Sequence, residues 1–191
     1  MARVRTRLMT AEEFFELDVP DSRAELLRGE VVRMSFPGGE HGVIAVRIAA
    51  RLLSFVEANQ LGFVTNESGF ILARHPDTVR GPDVAFVSFE RLGGQALPKK
   101  FWPSAPDLAV EVISPSQRPK GVREKVRSWF AAGARQVWLL YPATRTVYVL
   151  RSPTDAQILG PDDTLLGGDL LPGFSCPVAA FFQAGERPQG R

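Results

Sequence analysis

The sequence predicts an α/β fold of the α+β kind, a central mixed β-sheet flanked by helices. Three observations predict it. His41 to Ala58 carries apolar residues at helical spacing. Leu108 to Ile113 is almost wholly apolar, as a buried central strand requires, and is followed by a helical pattern and a second apolar run at Gln136 to Tyr141. Strand, helix, strand in that order implies a crossover with a parallel pair. The remaining apolar runs are short and separated by turn residues, as in hairpins, so parallel and antiparallel pairing should mix.

The elements follow in order. Thr10 opens a capping box with Glu13, so a short helix runs through Phe14, Phe15 and Leu17 and stops at Asp18 to Asp21, where Pro20 sits. Strands Ala24 to Leu27 and Val31 to Met34 flank an Arg28-Gly29 turn. After Pro37, Gly38 and Gly39 comes the long helix, with Val43, Ile44, Ile48, Leu52, Phe55 and Val56 on its apolar side. Strand-like runs follow at Gly62 to Asn66, Gly69 to Ala73 and Asp83 to Ser88, the last after Gly81-Pro82. A loop with Gly93, Gly94, Pro98 and Pro103 leads to the buried strand, which Ser114-Pro115 stops. Pro119 to Ala132 is helical, with Val122, Val126, Trp129 and Phe130 on one stripe and Gly133 as its cap. Gln136 to Tyr141 and Thr146 to Leu150 pair across a turn at Pro142 to Arg145; short strands and an apolar patch at Val178 to Phe182 end the chain. The 191 residues suit one domain, with flexible ends at 1–8 and 185–191.

Composition bounds the function. Cys176 is the lone cysteine, so no internal disulfide is available and nothing marks an oxidising compartment. Arg47 and Arg51 interrupt the longest apolar stretch, which excludes a membrane span there, and the basic start runs into Thr10, Glu12 and Glu13 rather than an apolar signal core. The expected location is the cytoplasm. A net charge of +2 is too small to identify a nucleic-acid partner by itself. Lys99, Lys100, Arg118, Lys120, Arg123, Lys125 and Arg127 nevertheless crowd one stretch, against Asp107, Glu111 and Glu124. That is either a phosphate-facing surface or an ordinary solvated one.

Two carboxylates sit where apolar residues belong. Asp83 opens the run Val84 to Val87, and Glu111 lies inside Leu108 to Ile113. A buried carboxylate needs a cation or hydrogen-bond donors. Carboxylates on neighbouring strands can share one hard cation, for which magnesium or manganese suits oxygen ligands better than zinc. The plainer alternatives are a turn-capping role for Asp83 and a buried salt bridge for Glu111. Lys125, on the following helix, could reach back over the strand end or be an exposed helix lysine. Treated as a surface residue, it is expected to matter little to stability. Glu25 and Glu30 flank the hairpin turn and could pair with Arg23, Arg28 or Arg33 across the strands. His41 begins the long helix.

The segments RAELLRGEVVRM at 23–34, His41, GPDVAFV at 81–87, LAVEVISPS at 108–116, Lys125, GARQVWLLYP at 133–142 and LPGF at 171–174 occur in that order. This series resembles the Uma family of restriction-endonuclease-like proteins, of the PD-(D/E)XK superfamily. The resemblance spans most of the chain and implies a restriction-endonuclease-like core. It implies a metal site of Asp83 and Glu111 with the Val112 carbonyl, and Lys125 as the motif lysine moved from the strand to the next helix, because Ile113 occupies the usual position. It matches Glu25 to the acidic residue of the first region. Arg28 and Gly121 depart from the family, which often has acidic residues there.

Two functional classes therefore compete. In the first, the chain is a magnesium- or manganese-dependent nuclease acting on nucleic acid, with DNA the expected partner. Asp83, Glu111, Lys125 and Glu25 carry the chemistry, while Arg118, Lys120, Arg123 and His41 hold the backbone. In the second, the fold persists as a catalytically silent module that binds nucleic acid or protein. A structural subunit of a homo-oligomer is a weaker third class.

Overall fold

The computed structural model describes residues 7–17 and 23–183. The helix stop expected at Asp18 to Asp21 and most of the expected flexible ends lie outside these residues. Chain order is α1 (Ala11–Phe15), β1 (Arg23–Leu27), β2 (Glu30–Met34), α2 (Gly39–Ala58), β3 (Gly62–Asn66), β4 (Phe70–Ala73), β5 (Thr78–Arg80), β6 (Val84–Ser88), α3 (Phe89–Leu92), β7 (Leu108–Val112), α4 (Pro119–Ala131), β8 (Gln136–Tyr141), β9 (Thr146–Leu150), β10 (Ala156–Leu159), β11 (Thr164–Leu166), β12 (Ser175–Pro177) and α5 (Ala179–Phe182). Among the described residues no helix is long and apolar enough to cross a membrane.

The central sheet is mixed, as expected. Its order is β10-β9-β8-β7-β6-β3, with β7 and β8 parallel and the other pairings antiparallel. Helix α4 is the crossover between the parallel strands. A second, antiparallel sheet, β2-β1-β5-β4, was not foreseen as a separate unit. Strand β5 was missed because its three residues lie between the turn at Asp77 and the Gly81-Pro82 break. At the hairpin turn Arg28 and Gly29 both have positive φ, 53° and 79°, as a two-residue turn between right-twisted strands demands.

Each face of β7 meets a different core, because successive side chains alternate. Leu108, Val110 and Val112 join the cluster that contains Ile44, Ile48, Leu52 and Val56 of α2. Ala109 and Ile113 join the cluster that contains Val126 and Trp129 of α4. Burial of each large side chain contributes about 1.5–3 kcal/mol, so the sheet is clamped from both sides. Glu111 has the parity of Ala109 and Ile113 and therefore points toward α4. The polar cluster is held at the end of this clamped β6–β7 pair.

Candidate active site

Strand register brings the carboxylates together. Val84 pairs with Val110 in the antiparallel β6–β7 ladder, so Asp83, one residue before β6, extends the register opposite Glu111. The ladder stops at Val110, which leaves the β6-facing backbone of Val112 free of a strand partner. The Asp83 carboxylate takes that place: Oδ2 accepts from the Val112 N–H at 2.7 Å. A strand residue's N–H and C=O point to the same side, so the Val112 carbonyl also faces this end of the sheet. Asn66 on β3 fixes the Asp83 backbone, donating from Nδ2 to its carbonyl at 2.9 Å.

Glu111 is buried, and protein groups donate to both of its oxygens. Trp129 Nε1 donates to its Oε1 at 3.0 Å and Lys125 Nζ to its Oε2 at 2.8 Å. Lys125 stands in the second turn of α4 and also lies 3.4 Å from Glu25 Oε1. Its side chain is only 18% exposed, so the expectation of a surface lysine with little weight in stability is corrected. Glu25, on β1, is buried as well, and Arg80 on β5 donates to its Oε2 at 2.5 Å. The arginine partners weighed from sequence were Arg23, Arg28 and Arg33. Arg80 takes their place because β5, the missed strand, lies beside β1. Glu25 Oε1 is buried without a hydrogen-bond partner among the described residues.

His41, in the first turn of α2, places Nε2 3.2 Å from Asp83 Oδ2. Arg23 approaches the other oxygen of Asp83 at 4.0 Å and Glu67 at 3.4 Å. The hydrogen bond to Asp83 raises the His41 pKa, against the opposing effect of burial. Burial alone would raise Asp83, but His41 and the Val112 N–H outweigh it and hold the carboxylate below its ordinary range. Glu111 behaves differently. Burial pushes it up to about 7; Lys125 opposes the rise, while the negative charges of Asp83 and Glu25 add to it. Burial would lower the Lys125 ammonium, but the Glu111 and Glu25 charges raise it.

These groups line a cleft of about 460 Å³ that contains Asp83, Glu111, Val112, Lys125 and His41, with Arg23 and Arg33 at its wall. A second cavity of about 230 Å³ shares Glu111 and Lys125 with it and includes Glu25 and Arg118. Arg118 thus reaches the site region. Lys120 and Arg123 lie on the exposed outer side of α4 and line neither cavity. The basic stretch from 99 to 127 is not one face: Lys100 pairs with Glu16 near α1 at 2.7 Å. The sequence does not reveal Trp129 as a partner of Glu111, Arg80 as a partner of Glu25 or Arg23 as a neighbour of Asp83. Trp129 was legible in principle, since it follows Lys125 by one helical turn on the same stripe.

Among the described residues, no set of three or more His, Cys, Asp or Glu side chains forms a ready-made metal cage. Magnesium does not need one; it commonly takes one or two carboxylates and completes its shell with water and substrate phosphate. The donor set fits such an open site. Burial pushes Glu111 up to about 7 despite Lys125, and Glu25 Oε1 accepts no hydrogen bond among the described residues, so three carboxylates with one shared lysine leave room for further positive charge.

The crystal structure of a "putative nuclease belonging to DUF820" from Anabaena variabilis has a similar fold, with a TM-score of 0.77 at 20% identity, covering 91% of this chain and 97% of that one. The likeness shows the restriction-endonuclease-like architecture. No curated protein matches the chain. A family model described as "Putative restriction endonuclease" matches residues 11–179, which include Glu25, His41, Asp83, Glu111 and Lys125, and on that match the chain belongs to the Uma2 family.

Proposed function

We propose that the protein is a divalent-metal-dependent nuclease that hydrolyses phosphodiester bonds, with DNA as its substrate. The observation that carries this reading is the convergence of Glu25, Asp83, Glu111 and Lys125, from β1, the start of β6, β7 and α4, on two adjoining cavities that share Glu111 and Lys125. A fold alone has no need to gather three buried carboxylates and a buried ammonium at one strand end. Each costs desolvation, and the Glu111 pKa shows that the cost is not fully offset.

Asp83 and Glu111, with the Val112 carbonyl, would hold the cation, and Glu25 lies one residue further out, beyond Lys125. Magnesium or manganese there would supply Lewis acidity toward water and the phosphate. The chain's own residues supply the rest. The N–H of Val112 and the imidazole of His41 fix the Asp83 carboxylate, while Trp129 fixes Glu111. Lys125 holds a positive charge where the phosphate gains negative charge in the transition state, and it is already charged because Glu111 and Glu25 keep it so. Arg23 and Arg33 on the cleft wall attract the polynucleotide backbone.

A silent binding module is the second reading, and one observation favours it: the Lys125–Glu111 pair at 2.8 Å already occupies a carboxylate oxygen that a cation would use. One experiment separates the two. Supercoiled and single-stranded DNA are incubated with the protein in magnesium, in manganese and in EDTA. The nuclease reading expects nicking that requires metal and disappears in Asp83→Ala and Glu111→Ala. DNA binding without metal-dependent cleavage would replace it with the module.

A further inference from the structure

The 230 Å³ cavity shares Glu111 and Lys125 with the larger cleft but extends away from Asp83 and His41, which do not line it. It lies between the β1–β2 hairpin and the first turns of α4, and its walls are mainly aliphatic: Leu27, Val32, Ile113 and Val122 among them. Charged side chains share that lining, Glu25, Arg80 and Glu124 among them. Glu111, Lys125 and Gln117 also line the larger cleft, whereas Arg118 lines the smaller cavity and not the larger one. Gln117 Oε1 is engaged by the Ser114 N–H at 3.2 Å, which leaves its amide hydrogens to donate.

From this geometry we infer that the side cavity receives a single nucleobase of the bound strand, so that the substrate is single-stranded or locally unpaired nucleic acid. The inference rests on the nuclease reading and narrows its substrate. Three features select a base. Pockets that enclose whole small ligands span about 300–1,000 Å³, and at 230 Å³ this one holds a ring system but not a nucleotide. The adjoining 460 Å³ cleft carries the cationic wall suited to the sugar and phosphate. Aliphatic walls beside groups that donate, Gln117 and Arg118, and groups that accept, Glu25 and Glu124, suit a flat group with apolar faces and a polar edge, which is how extruded bases are held. A base still paired in a duplex cannot enter such a recess; it must be free or leave the stack.

Gly121 offers a clean way to close the cavity. It lines the space from α4, and a Cβ added there meets nothing within 4 Å. Replacing a helical glycine removes a helix-weakening residue, so Gly121→Leu should fold at least as well as the parent. Val32→Trp fills the same space from β2, where Val32 is partly exposed. The probes are fluorescein-labelled strands of equal length: a single strand, the same strand built from abasic nucleotides, and a duplex, each titrated by anisotropy in EDTA. The parent should bind the base-bearing single strand at least tenfold more tightly than the abasic strand or the duplex, and both filled variants should abolish that preference. Equal affinity for base-bearing and abasic strands would overturn the base site, as would a preference that survives in both variants or an absence of binding to all three. Cleavage is read separately in manganese. Filled variants that nick duplex DNA as fast as the parent would refute the pocket and leave the nuclease reading standing, whereas base-dependent binding without cleavage would do the reverse.

Discussion

The two ends of the β6–β7 pair both hold buried acids, and they are built in opposite ways. At one end Asp107 is closed. Its Oδ2 accepts from the Ser88 N–H at 2.8 Å, Arg91 Nε lies 2.9 Å from Oδ1, and Arg91 is itself tied to the Ala105 and Gly133 carbonyls. At the other end Asp83, Glu111 and Glu25 share one lysine, one histidine and two arginines and open on adjoining cavities, and Glu25 Oε1 has only the Lys125 ammonium at 3.4 Å, with no hydrogen bond among the described residues. The first arrangement joins α3 and the α4–β8 turn to the sheet. The second keeps charge in reserve. The difference separates an acid that holds a fold together from acids held ready for a ligand.

The largest expected effect lies at the open end. Glu111→Gln should keep the Trp129 contact yet lower metal-dependent cleavage by about a hundredfold or more, the scale of losing a central charge-stabilising contact. Lys125→Ala should lower the rate by a similar factor and, because this lysine is buried, also lower the unfolding free energy; the two losses are read by single-turnover kinetics and urea titration. Unchanged cleavage in both would make the open end as structural as the closed one.

The pH dependence of stability comes next. The folded pKa of Glu111, about 7, lies above its ordinary 4.5. The native state therefore binds a proton that the unfolded chain has released, and this contribution is present below pH 4.5 and lost as pH rises through about 7. Its full size is on the order of 3 kcal/mol. His41, also raised, acts in the same direction, whereas lowered Asp83 contributes above its ordinary 3.8 and loses that on acidification. Urea unfolding in EDTA from pH 5 to pH 8 should show the parent losing stability relative to Glu111→Gln. Parallel curves would remove the charge reserve from the comparison.

At the closed end Asp107→Asn should cost about 2 kcal/mol, the range for a charged hydrogen-bonded partner removed from beside a partly exposed arginine. Cleavage per folded molecule should not change. The smallest effect belongs to Lys120, whose side chain is 82% exposed and 3.9 Å from Glu124. Lys120→Ala should shift stability by less than about 0.5 kcal/mol and alter only the salt dependence of DNA binding. A large loss of cleavage there would move the phosphate-binding surface to the outer side of α4.

Sequence exposed the sheet's core because burial on both faces leaves an uninterrupted apolar run, and β7 and β8 are such runs. It exposed Asp83 and Glu111 for the same reason, as charges out of place. The capping box of α1 was also legible, and both of its reciprocal bonds are present. Three things were hidden. Strand β5 is too short to show a period. Its Arg80, the partner of Glu25, became visible only through β1–β5 pairing. The sequence points Lys125 at the carboxylates but hides its burial, although it falls between Val122, Val126 and Trp129 on the buried stripe of α4; a charge on an apolar helical stripe carries the same signal as a charge in an apolar strand. Which cavities open beside the cluster depends on how the hairpin rests on α4, and no local pattern encodes that.

One hydrogen bond has an optical consequence. The chain has three tryptophans. Trp138 bonds through Nε1 to the neutral Gln136 amide, whereas fully buried Trp129 bonds through Nε1 to the ionisable carboxylate of Glu111. An indole's excited state shifts electron density from one ring to the other, so its emission energy follows the charge beside it. The protein therefore carries its own dye in the core behind the cleft, bonded to a carboxylate of the cleft wall, and the Trp129 part of its fluorescence reads the electrical state of Glu111 with no label attached.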